Sequence, residues 1–379
     1  MLGSRGSWTR GNAQERTIAR MKRSERRRWP PVVVCLLLLA VPGPIAAQEL
    51  AWRPFLLTED DLALSPAERV SSTPSCPEYR LLSVTDPFAT CGSAFAGAAP
   101  DDTLRGGSAS SQGRHELPYR AKNPQPLLVG AVALASAAGV FANSYFGYDH
   151  KKWHFTNEGF FGATTGDGGA DKASHFADYY IVSREFAYLF EMFGLTENAA
   201  RWSAFGAATF TGLVNEIGDG FTRHGFSYED FVMDFLGAGT AAVVSAARVE
   251  DLVGVRSSHL PGPTYSHDVY SADLKLAGLA RRLGLDVGPL RFLLASVTYA
   301  SKGYRVPGTA PDQRQRQVGF EVGINLEEIL NTVKARRDTW WGYALHVVGD
   351  NIRFPYLAIG MRYDLNHDRW HGPNNGNYP

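Results

Sequence analysis

Apolar positions along this chain fall into two regimes, one with the period of a helix and one with the period of a strand. Residues 123–148 carry no charge and run through Leu127, Val129, Val132, Leu134, Val140 and Phe141. With Pro124 and Pro126 at its start, this stretch predicts a helix that is apolar all round. Such a helix is either the central member of a soluble bundle or a membrane span, and its length of about 20 residues meets the spanning criterion. Three further helices are predicted over 171–193, 197–220 and 228–248. Gly194 ends the first, Thr196 caps the second, and Ser227 caps the third ahead of Glu229 and Asp230.

Beyond Pro261 and Pro263 the pattern changes. Val318, Phe320, Val322, Ile324 and Leu326 alternate with Gly319, Glu321, Gly323 and Asn325 at a strand's period of two. Two more strands are predicted over 291–299 and 356–363, with amphipathic helices over 271–283, 326–337 and 340–348. The fold class expected is α+β: a helical bundle with polar interior motifs, then a smaller C-terminal region with about three antiparallel strands and amphipathic helices on one face. Three strands fall short of the roughly eight an outer-membrane barrel needs.

The first segment changes the picture of charge. Arg20, Lys22, Arg23 and Arg26 to Arg28 lead into an apolar run at 32–41, followed by Pro42, Pro44 and the small residues Ala46 and Ala47, the layout of an export signal. Residues 1–47 hold nine of the 38 basic and two of the 38 acidic residues, leaving 29 against 36 and a charge near −7. That balance, with no basic stretch interleaved with aromatics, excludes nucleic acid as a partner. Residues 48–118 read as a low-complexity arm, residues 119–250 as the helical domain, 264–366 as the strand-containing domain, and 367–379 as a disordered tail. Cys35 sits in the signal core, so Cys76 and Cys91 form an even pair in an oxidising compartment and are expected to be bridged, the alternative being two buried thiols.

Candidate chemistry is confined to the helices. Asp171, His175, Asp178 and Tyr179 recur along one stripe of the first site helix, beside the apolar Phe176. Asn215, Glu216 and Asp219 follow an apolar stretch on the next, and Asp230 and Asp234 lie one turn apart on the last. If these stripes converge, five carboxylates meet in a low dielectric and need protons, a basic partner or a cation. Lys172, His175, Arg184, Arg223 and His224 are the bases within reach, and Mg²⁺ or Ca²⁺ suits an oxygen-rich site, although no particular metal is indicated. A purely structural network of caps and salt links fits the same residues. No nucleophile elbow, zinc-protease pair, Cys-x-x-Cys or phosphate loop is present, and the glycines of 166–169 read as a flexible approach to the helix.

In combination, Asp171-Lys172-Ala-Ser-His175-Phe176, Asn215-Glu216-Ile-Gly-Asp219-Gly220 and Ser227-Tyr-Glu-Asp230 with Asp234 and Gly237 resemble the YfiM-like family of predicted periplasmic lipoproteins over about 150–245. A more distant similarity links them to the VanZ-like membrane proteins, with Asp234 standing where that pattern has Asn. The resemblance implies an envelope location with membrane or envelope components as partners, and no agreed reaction. The sequence departs from the lipoprotein pattern because Cys35 follows three valines in mid-core. The function expected is an exported envelope protein of unassigned activity whose acidic and histidine cluster is structural or binds a small ligand or cation. The alternative is an envelope hydrolase or transferase acting on lipid-linked or phosphorylated substrates, with His175 as acid or base and Glu216 and Asp219 as its partners.

Overall fold

A computed structural model describes residues 117–258 and 265–374. The export signal, nearly all of the arm, the Pro261–Pro263 break and the last five residues lie outside them. Four helices come first: α1 (Pro126–Gly147), α2 (Ala170–Met192), α3 (Glu197–Gly220) and α4 (Tyr228–Ala246). Thr196 accepts from the Ala199 N–H and Ser227 from the Asp230 N–H, each satisfying a donor in the first turn that has no partner within its helix. The glycines before α2 meet a demand of conformation and packing. Gly168 and Gly169 have φ of +61° and +86°, and a Cβ on either would meet an aromatic ring at 2.6 Å.

Helix α2 is the centre of the bundle. Its Ala177, Tyr180 and Ile181 pack with Ala241 of α4, while Tyr179, Val182 and Phe186 pack with Ala200, Ala204 and Ala208 of α3. Helix α1 lies on α3 and is mostly exposed, with only Ser136, Ala137 and Ser144 buried. By length and composition it is able to cross a membrane. Two short strands, β1 (Phe155–Thr156) and β2 (Phe226–Ser227), pair in parallel and hold the loop before α2 against the start of α4.

The C-terminal part is a single antiparallel sheet of six strands, not the three expected: β3 (Val253–Ser257), β4 (Val269–Lys275), β5 (Leu293–Lys302), β6 (Gln315–Ile324), β7 (Ala358–Asp364) and β8 (Arg369–Asn374). The strands follow one another in chain order, leaving β3 and β8 outermost. Two additional strands replace other expectations. Residues 271–275 belong to β4 and only Leu276–Leu283 is helical (α5), because Tyr270, Ala272 and Leu274 take the period of two while the leucines beyond them take that of a helix. Part of the expected disordered tail forms β8, where Trp370 pairs with Tyr363 despite the adjacent Gly372 and Pro373. Helices α6 (Leu326–Thr332) and α7 (Trp340–Asn351) connect β6 to β7.

Bundle and sheet share a core, in which Ala173, Tyr180 and Val244 of the helices meet Val255 and Tyr270 of β3 and β4. They are also tied by charge. Asp350 of α7 binds Arg184 of α2 and Lys275 of β4, each at 2.5 Å.

The expected disulfide is corrected. No disulfide is present among the described residues, and Cys76 and Cys91 both lie outside them. An even count of cysteines carries no information about the Cα separation a bridge requires.

Candidate functional site

The site is built where α2, α3 and α4 converge at the N-terminal end of α2. Lys172 is buried at 2 % exposure and touches three carboxylates: Asp230 at 2.5 Å, Glu158 at 2.7 Å and Asp171 at 2.9 Å. One turn on, the His175 Nδ1 lies 2.7 Å from Asp234 Oδ1, while its Nε2 faces Asp171 Oδ1 and Asp230 Oδ1, both at 3.8 Å. The ring therefore bridges two acidic groups, hydrogen-bonded to one side and held just beyond hydrogen-bond range on the other.

Glu216 completes the arrangement from α3. Its side chain is buried at 1 % and accepts from the Ser227 N–H and the Asn215 amide. Ligand atoms of His175, Glu216 and Asp234 lie within 4.8 Å of one another, and so do those of Asp171, His175 and Asp230. This geometry is compatible with a coordinated cation. Asp234 is wholly buried, and its Oδ2 has no hydrogen-bond partner among the described residues. That oxygen fits because position 212 is glycine: a Cβ there would stand 2.6 Å from it.

The electrostatics follow from too many acids in too little water. Burial pushes the Asp234 carboxyl up to about 7 against the pull of His175, and that of Asp219 up to about 6. Burial raises Glu216 and Asp230 as well, with neighbouring carboxylates adding to the shift. For His175, burial works downward, but Asp230 and Asp234 overcome it and hold the imidazolium well above its ordinary range. Burial likewise opposes the Asp171 carboxylate, yet His175 and Lys172 hold it well below its usual value. Two cationic side chains thus face a larger set of carboxylates, and protons or a cation must make up the difference.

Of the residues singled out by sequence, Asp171, Lys172, His175, Glu216, Asp230 and Asp234 are brought together, with Asn215 holding Glu216. Asp219 stands at the margin, near Ser144 of α1. Asp178 turns aside to accept from Ser174, and Tyr179 joins the apolar core with its ring parallel to that of His175 at 6.5 Å. Arg184 serves the α7 contact, and Arg223 lies over the Tyr148 ring. Sequence reasoning missed Glu158 and Asp167, which come from the loop before α2 without helical spacing, and read Glu229 only as an acid in the first turn of α4. Glu229 accepts from the Gly159 N–H and the Ser227 hydroxyl, and Asp167 pairs with Arg305 at 2.8 Å.

A cavity of about 250 Å³ opens beside the cluster, lined by Glu158, Asp167, Asp171, Lys172 and Arg305 among others. It reaches the Lys172 side only. His175, Glu216, Asp219 and Asp234 do not line it.

Fold and site define an exported protein of the bacterial envelope, periplasmic or membrane-associated, with a buried acidic and histidine cluster between its helices. Residues 157–246 match the family described as predicted periplasmic lipoprotein, DUF2279. The match takes in the three site helices and leaves the sheet outside. No curated protein and no solved structure matches the chain.

Proposed function

We propose that the cluster is a divalent-cation centre that locks α2, α3 and α4 together in an envelope protein, with His175, Glu216 and Asp234 as its protein donors. The observation that carries this reading is the wholly buried Asp234 Oδ2, which lacks a hydrogen-bond partner among the described residues and lies in a group of donors close enough to share one ion. The other triad, Asp171, His175 and Asp230, already has a cation: the Lys172 ammonium sits 2.5 Å from the Asp230 oxygen that would be its ligand. Among the described residues no lysine or arginine is ion-paired with Glu216 or Asp234, whose cationic neighbour is His175. A cation there displaces the proton held between His175 Nδ1 and Asp234 Oδ1, so binding releases protons. The donors, two carboxylates and one imidazole, suit Mn²⁺ or Zn²⁺ as well as Ca²⁺ and Mg²⁺.

A catalytic centre needs a cleft that admits substrate, whereas none of the three donors lines the adjoining cavity, and Glu216 and Asp234 are fully buried with His175 16 % exposed. This weighs against the hydrolase or transferase alternative and in favour of a sealed centre. The finer resemblance to the YfiM-like and VanZ-like families supports an envelope setting for it and supplies no reaction.

The test starts from the full-length protein stripped with EDTA and titrated separately with Mg²⁺, Ca²⁺, Mn²⁺ and Zn²⁺ by calorimetry in two buffers of different ionisation enthalpy. At least one ion is expected to bind with proton release and raise Tm. Saturation at a hundredfold excess over Kd adds about 2.7 kcal/mol. Asp234→Asn and Glu216→Gln are expected to abolish binding. If none of the four ions binds, the reading fails.

A further inference from the structure

The sheet is inverted relative to one that faces water. On β5, β6 and β7 the side that turns away from solvent carries Ser296, Thr298, Glu321 and Arg362, all buried. Glu321 lies 2.5 Å from Arg353 and 3.6 Å from Arg362, and on the neighbouring strands Asp273 binds Arg256 at 2.6 Å. The opposite side is apolar and open: Phe320 is 61 % exposed, Ile359 59 % and Trp370 56 %. An antiparallel sheet in water shows the reverse alternation, whereas strands in contact with lipid put apolar side chains outward and polar ones inward.

Register arranges the open face in rows. Val297, Phe320 and Met361 are cross-strand neighbours, as are Ala295, Val322 and Ile359. The next row, toward the other end, is Tyr299, Val318, Tyr363 and Trp370, with the last two rings 5.2 Å apart. A hydrocarbon band is thus bounded at one end by tyrosine and tryptophan, the amphipathic residues that favour a membrane–water boundary.

At the β3 and β4 end this face packs on the helices. Further along, sheet and helices part, leaving an open groove of about 1140 Å³ with Phe176 and Val244 on one wall and the two apolar rows on the other. The polar groups beside it are engaged elsewhere. Asp273 and Glu321 point to the ion-paired side, and the Thr240 hydroxyl donates to the Leu236 carbonyl of its own helix. An extended peptide laid on the two apolar rows would bury backbone N–H and C=O groups without partners, since those rows present side chains of paired strands. Hydrocarbon leaves no such group stranded.

We propose that this groove takes the acyl chains of membrane phospholipid, with the polar end of the lipid at the Tyr363 and Trp370 row. The site is independent of the cation centre, with which it shares no ionisable donor, and either stands if the other falls.

The experiment mixes full-length protein with phosphatidylglycerol–phosphatidylethanolamine vesicles whose acyl chains are brominated, and measures quenching of tryptophan emission against unbrominated vesicles. A quenched fraction is expected that Trp370→Phe removes and that Trp341→Phe, an exposed tryptophan outside the groove, leaves in place. Phe320→Glu is expected to reduce that fraction at least twofold with Tm unchanged; should this variant unfold, Ile359→Glu makes the same test. Equal quenching in wild type and Trp370→Phe overturns the proposal. Quenching of Trp370 by brominated stearate but not by vesicles overturns it in favour of a free fatty acid. A concentration-dependent dimer that Phe320→Glu dissolves, with Trp370 unquenched, overturns it in favour of a second copy of the chain.

Discussion

The His175 imidazole and the Asp234 carboxylate, 59 residues apart in the chain, meet at 2.7 Å across the α2–α4 contact. Gly237 lets them do so, because a Cβ at that position would stand 2.1 Å from the Phe176 carbonyl oxygen. The charge pair and the close backbone approach are one device: without the glycine the helices separate, and without the histidine the acids are left facing one another.

Removal of His175 is therefore expected to cost stability. His175→Ala leaves Asp234 and Glu216 buried without a cationic neighbour, and the loss expected is about 3–5 kcal/mol in chemical denaturation without added metal. Asp234→Asn in the same background is expected to recover part of it, a coupling that a double-mutant cycle measures. Full stability in His175→Ala would contradict a sealed structural centre and reopen the catalytic alternative.

Stability is also expected to fall with rising pH in the absence of divalent ions. Asp234 and Asp219, with folded values of about 7 and 6 against 3.8, hold protons in the native state that the unfolded chain has already lost. The slope of unfolding free energy on pH is then negative between about pH 4 and 7. His175, raised above 6.5, contributes stability that is present below pH 6.5 and lost as pH rises through its folded value. Thermal melts from pH 5 to pH 8 in EDTA are expected to show decreasing Tm, and a bound cation or Asp234→Asn is expected to flatten the curve.

Gly212→Ala and Gly237→Ala separate the two roles of the close approach. At 212 the new methyl meets the Asp234 carboxylate, so cation binding is expected to be lost with a modest stability cost. At 237 it meets backbone, and a destabilisation of about 1–3 kcal/mol is expected, as for other overpacked sites. Comparing binding with unfolding free energy in the two variants checks this.

Asp350→Ala tests whether bundle and sheet unfold together. It leaves Arg184 and Lys275 without the carboxylate that both contact at 2.5 Å, and the expected cost is again about 3–5 kcal/mol. Calorimetry is expected to show one transition at lower temperature; two separated transitions would mean that the shared core does not couple the layers.

Much of the helical half could be read in advance because its signals are local. Caps at Thr196 and Ser227, glycines at the helix ends and acids on otherwise apolar faces all act within a few residues of the chain. The sheet was legible only where apolar residues alternated with small or polar ones in a long run, as in β6. Strand β4 was hidden by leucines that continue into α5, and β8 by its Gly-Pro pair.

By itself, then, the sequence determined the helical elements, the exported character and the presence of Asp171, Lys172, His175, Glu216, Asp230 and Asp234 on faces that had to be buried. Tertiary structure alone decided that Lys172 serves one group of acids and His175 both, that Glu158 arrives from a loop, and that the charged side of the sheet is the buried one. The reason is physical: helical period fixes which side chains share a face, but distances across helices, and the choice of which sheet face meets solvent, are set by packing between residues far apart in the chain.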